Sequence, residues 1–171
     1  MKTSLLLLAL VAFGMGCGRP FDVKTGKDFA ELQDQKTEGF DYRAMTPEGV
    51  ALSVRTLPNE EKADLGFWVK AITLKLREED GYALLADETV KSKNGTSGRR
   101  LRFAREEDKK TFDYRVTLYL AQKRIFLIES GGAREVFAKS LPTVEQMESS
   151  VAVQCKSWLS PVLASRTCNR W

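Results

Sequence analysis

The chain has 171 residues, of which 43% are hydrophobic and 29% charged, with a formal net charge of +4 and no histidine. This composition fits one folded domain with a real core and not a disordered chain, and the mild positive excess says little about partners. The missing histidine excludes Ser-His-Asp and Cys-His nucleophile systems, His-ligated zinc and imidazole acid–base catalysis; only carboxylate, lysine, tyrosine or bare serine chemistry stays open.

Residues 1–16 read as an export signal. Lys2 supplies the positive start, and Leu5 to Phe13 is an unbroken apolar run, far short of the roughly 20 residues that span a bilayer. Gly14-Met15-Gly16 then leads into Cys17. This segment resembles the lipobox of bacterial lipoproteins, with Gly14 standing where Leu, Val or Ile is usual. The resemblance implies that Cys17 carries diacylglycerol and further acyl chains (palmitate or similar), and several chains together anchor firmly. Gly18 follows the cysteine in place of the Asp that retains enterobacterial lipoproteins in the inner membrane, which implies the outer membrane.

The competing reading is an ordinary signal peptide, leaving Cys17 unmodified. No A-x-A-like site follows the apolar run, and the cysteine count also favours lipidation. The cysteines are Cys17, Cys155 and Cys168. With Cys17 lipidated, Cys155 and Cys168 remain as an even pair that can form a disulfide in an oxidising envelope. Residues 17–27 read as lipidated cysteine and tether, 28–153 as the domain, and 154–171 as a stapled tail.

Asp28 to Lys36 suggests a short helix. Phe40 to Met45 and Val50 to Arg55 alternate in the manner of strands, with Thr46-Pro47-Glu48-Gly49 as the turn between them. Asp64 is placed as the N-cap of a helix to about Glu79, with Leu65, Trp68, Val69, Ile72 and Leu76 on its buried stripe and Gly81 as its stop. Tyr82 to Val90 and Arg99 to Arg105 are the next strands, joined by a turn at Asn94 to Gly98. Phe112 to Ala121 alternates most clearly, and Gln122-Lys123 turns the chain into Arg124 to Glu129. The run Ile125-Phe126-Leu127-Ile128 marks a central strand buried on both faces. Ser130-Gly131-Gly132 is expected to break the chain before a helix from Arg134 to Val151, kinked or restarted at Pro142, with Val136, Phe137, Leu141, Val144 and Met147 inward. The fold class is α+β, a single antiparallel β-sheet covered by helices.

From Gly81 to Val151 the pattern resembles the PsbP-like family. Gly98-Arg99-Arg100-Leu101-Arg102-Phe103 matches its glycine-led strand, Tyr114 to Leu120 and Arg124 to Glu129 its two long strands, and Phe137 the early aromatic of its last helix. The resemblance implies an α/β/α sandwich and a role in binding proteins and stabilising assemblies. It carries no catalytic residues.

Several clusters are candidates for chemistry. Arg100 and Arg102 share a strand face to which Arg115 is added by the next strand, a candidate surface for phosphate-rich envelope material such as lipopolysaccharide or lipid headgroups, or else an ordinary solvated hairpin. Nucleic acid is excluded by the compartment. Glu129-Ser130-Gly131-Gly132 superficially suggests a serine nucleophile but lacks the G-x-S-x-G elbow and any histidine base. Glu78, Glu79 and Asp80 could attract a hard cation, or be balanced by nearby lysine or arginine; no metal and no cofactor is expected. In the tail, Trp158 and Trp171 either pack on the sheet edge or face a partner. The leading expectation is a membrane-anchored, non-enzymatic interaction or assembly module of the bacterial envelope with a protein partner. The alternative is a lipoprotein that binds an anionic envelope ligand through the basic strand face or a sheet–helix cleft.

Overall fold

The computed structural model describes residues 19–33, 39–60, 62–121 and 123–153. Among these residues, nine strands and two helices run in the order β1 (Phe21–Asp22), β2 (Ala30–Glu31), β3 (Tyr42–Met45), β4 (Ala51–Pro58), α1 (Leu65–Glu78), β5 (Ala83–Lys91), β6 (Ser97–Glu107), β7 (Lys110–Ala121), β8 (Arg124–Ala133), α2 (Arg134–Ser150) and β9 (Ala152–Val153). Seven strands form one sheet in the order β2-β3-β4-β8-β7-β6-β5, antiparallel throughout, and β1 pairs with β9 as a separate two-stranded sheet. The protein is therefore α+β with a large antiparallel sheet and two helices.

The apolar run of β8 sits at the middle of the sheet, where both faces are covered. Phe126 and Ile128 point into the cluster beneath α2, with Leu52, Val54, Phe137, Val144 and Met147. Ile125 and Leu127 point the other way, joining Leu101, Phe103, Val116 and Leu118 beneath α1. Each such side chain, fully buried, stabilises the fold by about 1.5–3 kcal/mol before entropy is counted.

The two faces are not covered equally. α2 and the β1–β9 pair close one side. α1 lies over β5, β6 and β7 on the other, and none of its residues is fully buried. The expected single, helix-covered sheet is thus corrected on two points: a second small sheet exists, and the α1 side is only partly covered.

Four local expectations also change. Asp28 has φ +71, outside the helical region, and Ala30–Glu31 pairs with β3, so no helix starts there. Phe21 is 2% exposed and pairs with Val153, so the fold begins inside the stretch expected to be tether. Ser130-Gly131-Gly132 does not break the chain, because β8 runs on to Ala133, held between Ala51 and Leu52 of β4 and Asp113, Tyr114 and Arg115 of β7. The last helix runs through Pro142 as one element, Arg134–Ser150, without restarting there.

α1 is fixed at both ends. Asp64 accepts a hydrogen bond from the Phe67 amide at 2.7 Å, the side-chain cap expected of Asp. Buried Asn59 brackets the approach: its side-chain amide donates to the Ala63 carbonyl, while its oxygen accepts from the Ala63 amide and from the Trp68 indole N–H. Gly81, at φ +69, takes the left-handed conformation that ends the helix.

Candidate interaction surfaces and clefts

On the α2 side, Arg100, Arg102 and Arg115 do share one face, as the register Arg100↔Thr117 and Arg102↔Arg115 requires. They are interleaved with carboxylates. Arg100 lies 3.1 Å from Glu148 and 4.0 Å from Glu88; Arg102 lies 3.4 Å from Glu88; Arg115 lies 3.0 Å from Glu145 and 3.6 Å from Glu148. Three glutamates on β5 and α2 thus match three arginines on β6 and β7. Arg115 is buried under α2, which removes it from any open ligand face. The basic strand face read from sequence is real as a strand pattern, but it is matched by Glu88 across the β5–β6 hairpin and by Glu145 and Glu148 far along the chain on α2.

Glu148 is the centre of this network. Its side chain is 2% exposed and accepts from the Ser130 hydroxyl at 2.9 Å. Burial raises its pKa above the usual carboxylate value, against the opposing pull of Arg100, Arg115 and the Ser130 hydrogen bond. Ser130, considered as a nucleophile from its sequence context, is a buried donor to this carboxylate. Tyr119 lies on the same face, and burial pushes its phenol up to about 12.

On the α1 side, a second polar group lies where the sheet is uncovered. Arg55 on β4 donates through Nε and Nη2 to Glu129 on β8 at 2.7 and 2.5 Å, and the Tyr114 hydroxyl of β7 donates to Glu129 at 2.5 Å. Burial and the Glu129 carboxylate hold the Tyr114 phenol well above its usual range. This trio sits between two adjoining cavities. One, of about 310 Å³, runs under α1 and is lined by Leu57, Trp68, Ile72, Leu76 and Leu127. The other, of about 270 Å³, opens over Gly131 and Gly132 with Phe40, Tyr82 and Phe112 around it. Gly131 lies directly across from Tyr114, and a Cβ there would stand 3.0 Å from the Asp113 carbonyl and the Tyr114 ring. The trio was not visible in the sequence, because its members lie on three strands that only the β4-β8-β7 order brings together.

The outer side of α1 is the other exposed feature. Phe67 and Leu74 are 57% and 47% exposed and lie seven residues apart, pointing away from the sheet. Exposed Lys70 and Arg77 run beside them at the same spacing. Glu79 and Asp80 lie 2.8 and 3.7 Å from Lys75, and among the described residues no group of three potential ligands could hold a metal. No helix among the described residues is long and apolar enough to cross a membrane. Cys17, Cys155, Cys168, Trp158 and Trp171 lie outside the described residues.

No family model matches the chain, and no curated protein matches it. Solved structures do. Cyanobacterial PsbP (CyanoP) from Synechocystis sp. PCC 6803 aligns with a TM-score of 0.57 at 11% identity, over 78% of this chain and 86% of its own. LpqN, a Mycobacterium tuberculosis protein involved in cell envelope biogenesis, aligns with a TM-score of 0.60 at 10% identity, over 77% and 82%. The Saccharomyces cerevisiae Ran-binding protein Mog1p aligns with a TM-score of 0.54 at 13% identity, over 78% and 90%. At such identities the likeness speaks for architecture alone, and the architecture is that of a PsbP-like α+β domain.

Proposed function

We propose that this protein is a non-enzymatic interaction module of the bacterial envelope, anchored by lipid on Cys17 and docking its partner on the outer side of α1. The observation that carries this reading is α1 itself. Its inner stripe of Leu65, Trp68, Ile72 and Leu76 meets the sheet, yet Phe67 and Leu74 on the opposite side are also apolar and exposed. A helix apolar on two opposite sides is suited to be covered twice. The adjacent row of Lys70 and Arg77 fits an amphipathic partner segment whose apolar face is edged by acidic residues. Protein binding by Mog1p and the envelope role of LpqN, both on this scaffold, agree with the reading at the level of fold only. The anionic-ligand alternative is weakened by the glutamates that match Arg100, Arg102 and Arg115.

A photo-crosslinking residue placed at Leu74 in the full chain, expressed in cells, tests it. We expect a discrete protein adduct from position 74, none from the exposed turn position Glu48, and at least a tenfold loss of adduct on Phe67→Ser. Cys17→Ser should move the protein from the membrane to the soluble fraction. An absence of adduct combined with salt-sensitive binding to lipopolysaccharide would overturn the docking reading, and a Cys17→Ser protein that stays with the membrane would overturn the anchor.

A further inference from the structure

We infer that β5 is a self-association edge, along which a second copy of this chain pairs antiparallel about a two-fold axis through Thr89. β5 ends the sheet order and, among the described residues, pairs only with β6. One side of its backbone therefore presents donors and acceptors without a strand partner, the arrangement that templates strand addition. The opposite edge of the sheet, β2, is a two-residue strand and offers no comparable length.

The regular part of this edge is bounded on both sides. A bulge lies between Leu84 and Ala86. Beyond Lys91 the backbone turns inward, with the Ser92 amide bonded to the Thr96 carbonyl and the Lys93 amide to the Val151 carbonyl. The flush segment is thus Ala86 to Lys91.

Symmetry restricts how two such segments meet. A two-fold axis normal to the sheet keeps each face continuous, so opposed residues must belong to the same face of their own strand. A pairing centred on Glu88 sets two carboxylates opposite each other, and one centred on Val90 needs the inward-turned backbone of Ser92. Centring on Thr89 sets Thr89 against Thr89 and Asp87 against Lys91, twice. Asp87, Thr89 and Lys91 lie on one face, opposite Leu101, Arg99 and Ser97 of β6, and Thr–Thr and opposite-charge pairs are both favourable across strands. Asp87 is held by Arg99 of β6 within its own chain, so Lys91 of the second copy would share an already paired carboxylate; the edge is complementary to itself in backbone and in the alternation of Asp87 and Lys91 about Thr89.

Two measurements on the full chain in mild detergent decide it. Thr89→Cys should form a covalent dimer under mild oxidation, because residues on the axis face each other within disulfide reach, whereas Asp87→Cys, displaced from its own copy by four residues, should not. By sedimentation, Lys91→Asp should weaken the dimer about tenfold and Asp87→Lys, which also loses the in-chain pair with Arg99, at least as much, while the Asp87→Lys/Lys91→Asp exchange should associate more tightly than either single variant, a rescue that a folding defect cannot produce. A protein that sediments as a monomer at all concentrations, equal crosslinking from positions 87 and 89, or no rescue by the exchange would each overturn the assignment. None of these outcomes depends on the α1 surface.

Discussion

Two single positions govern how tightly the sheet is filled. Gly98 lies across from Tyr119, and a Cβ there would come within 2.3 Å of the Leu118 carbonyl and 2.4 Å of the Tyr119 ring. The backbone cannot yield without disturbing the β6–β7 ladder, so Gly98→Ala should destabilise by about 3 kcal/mol in denaturant unfolding. A loss within a few tenths of the wild type would mean the ring can swing away. Glu148 supplies a pH signature. Because burial raises its pKa, the folded state holds the proton more tightly than the unfolded chain does. Its contribution is fully present below the ordinary carboxylate value of 4.5 and is lost as pH rises through the raised value. Wild-type stability should therefore fall over that window more steeply than that of Glu148→Gln; parallel curves would show that Arg100 and Arg115 cancel the burial effect entirely. Neither role was legible in the sequence. Gly98 reads there as turn residue, and Glu148 as one more polar position on a helix.

Elements were legible where the pattern had one cause. β7 alternates because its two faces meet different clusters, and β8 is continuously apolar because it is central. Boundaries failed where turn chemistry was unusual. β6 and β7 run on to Glu107 and Lys110, joined by Asp108-Lys109 with φ +50 and +64. That is a tight hairpin turn made without the glycine that normally announces it. The glycines of β8 misled in the opposite sense, since Gly131 accommodates the Tyr114 ring and does not end the strand. α1 depends on its ends more than α2 does, because no residue of α1 is fully buried. Removing the cap by Asp64→Ala should cost about 1 kcal/mol and raise amide exchange selectively in the first turn of α1. Uniform exchange across the whole domain would place α1 within the global unfolding unit instead.

At the scale of the molecule, the α+β class was readable from element order, and the PsbP-like arrangement from the resemblance of the pattern over residues 81–151, while the second small sheet and the partial cover on the α1 side were not. Also not readable was the meeting of distant residues: the Arg55–Glu129–Tyr114 trio and the glutamates that neutralise the basic strand face. Charge runs in sequence record only local neighbours, while antiparallel order brings β5 and α2 onto β6 and β7. The proposed surfaces lie on different parts of the fold, the α1 side for a partner and the β5 edge for a second copy. A lipid anchor would favour even weak edge pairing, since confinement to a membrane raises the effective concentration of one copy around another.

The β1–β9 pair has a mechanical consequence. Phe21 lies opposite Val153 and Asp22 opposite Ala152, so the outer ends of the two strands lie at the same end of one short ladder. Asn94 reinforces that ladder from the side, donating to the Val153 carbonyl at 2.6 Å and accepting from its amide at 3.1 Å. A pull between the segment before Phe21 and the segment after Val153 would load these bonds one after another, like a zipper and not like a lap joint. Such a pull would open the β1–β9 corner and expose Phe21, and the Arg19–Glu31 pair would pass part of the load to β2 at the edge of the seven-stranded sheet.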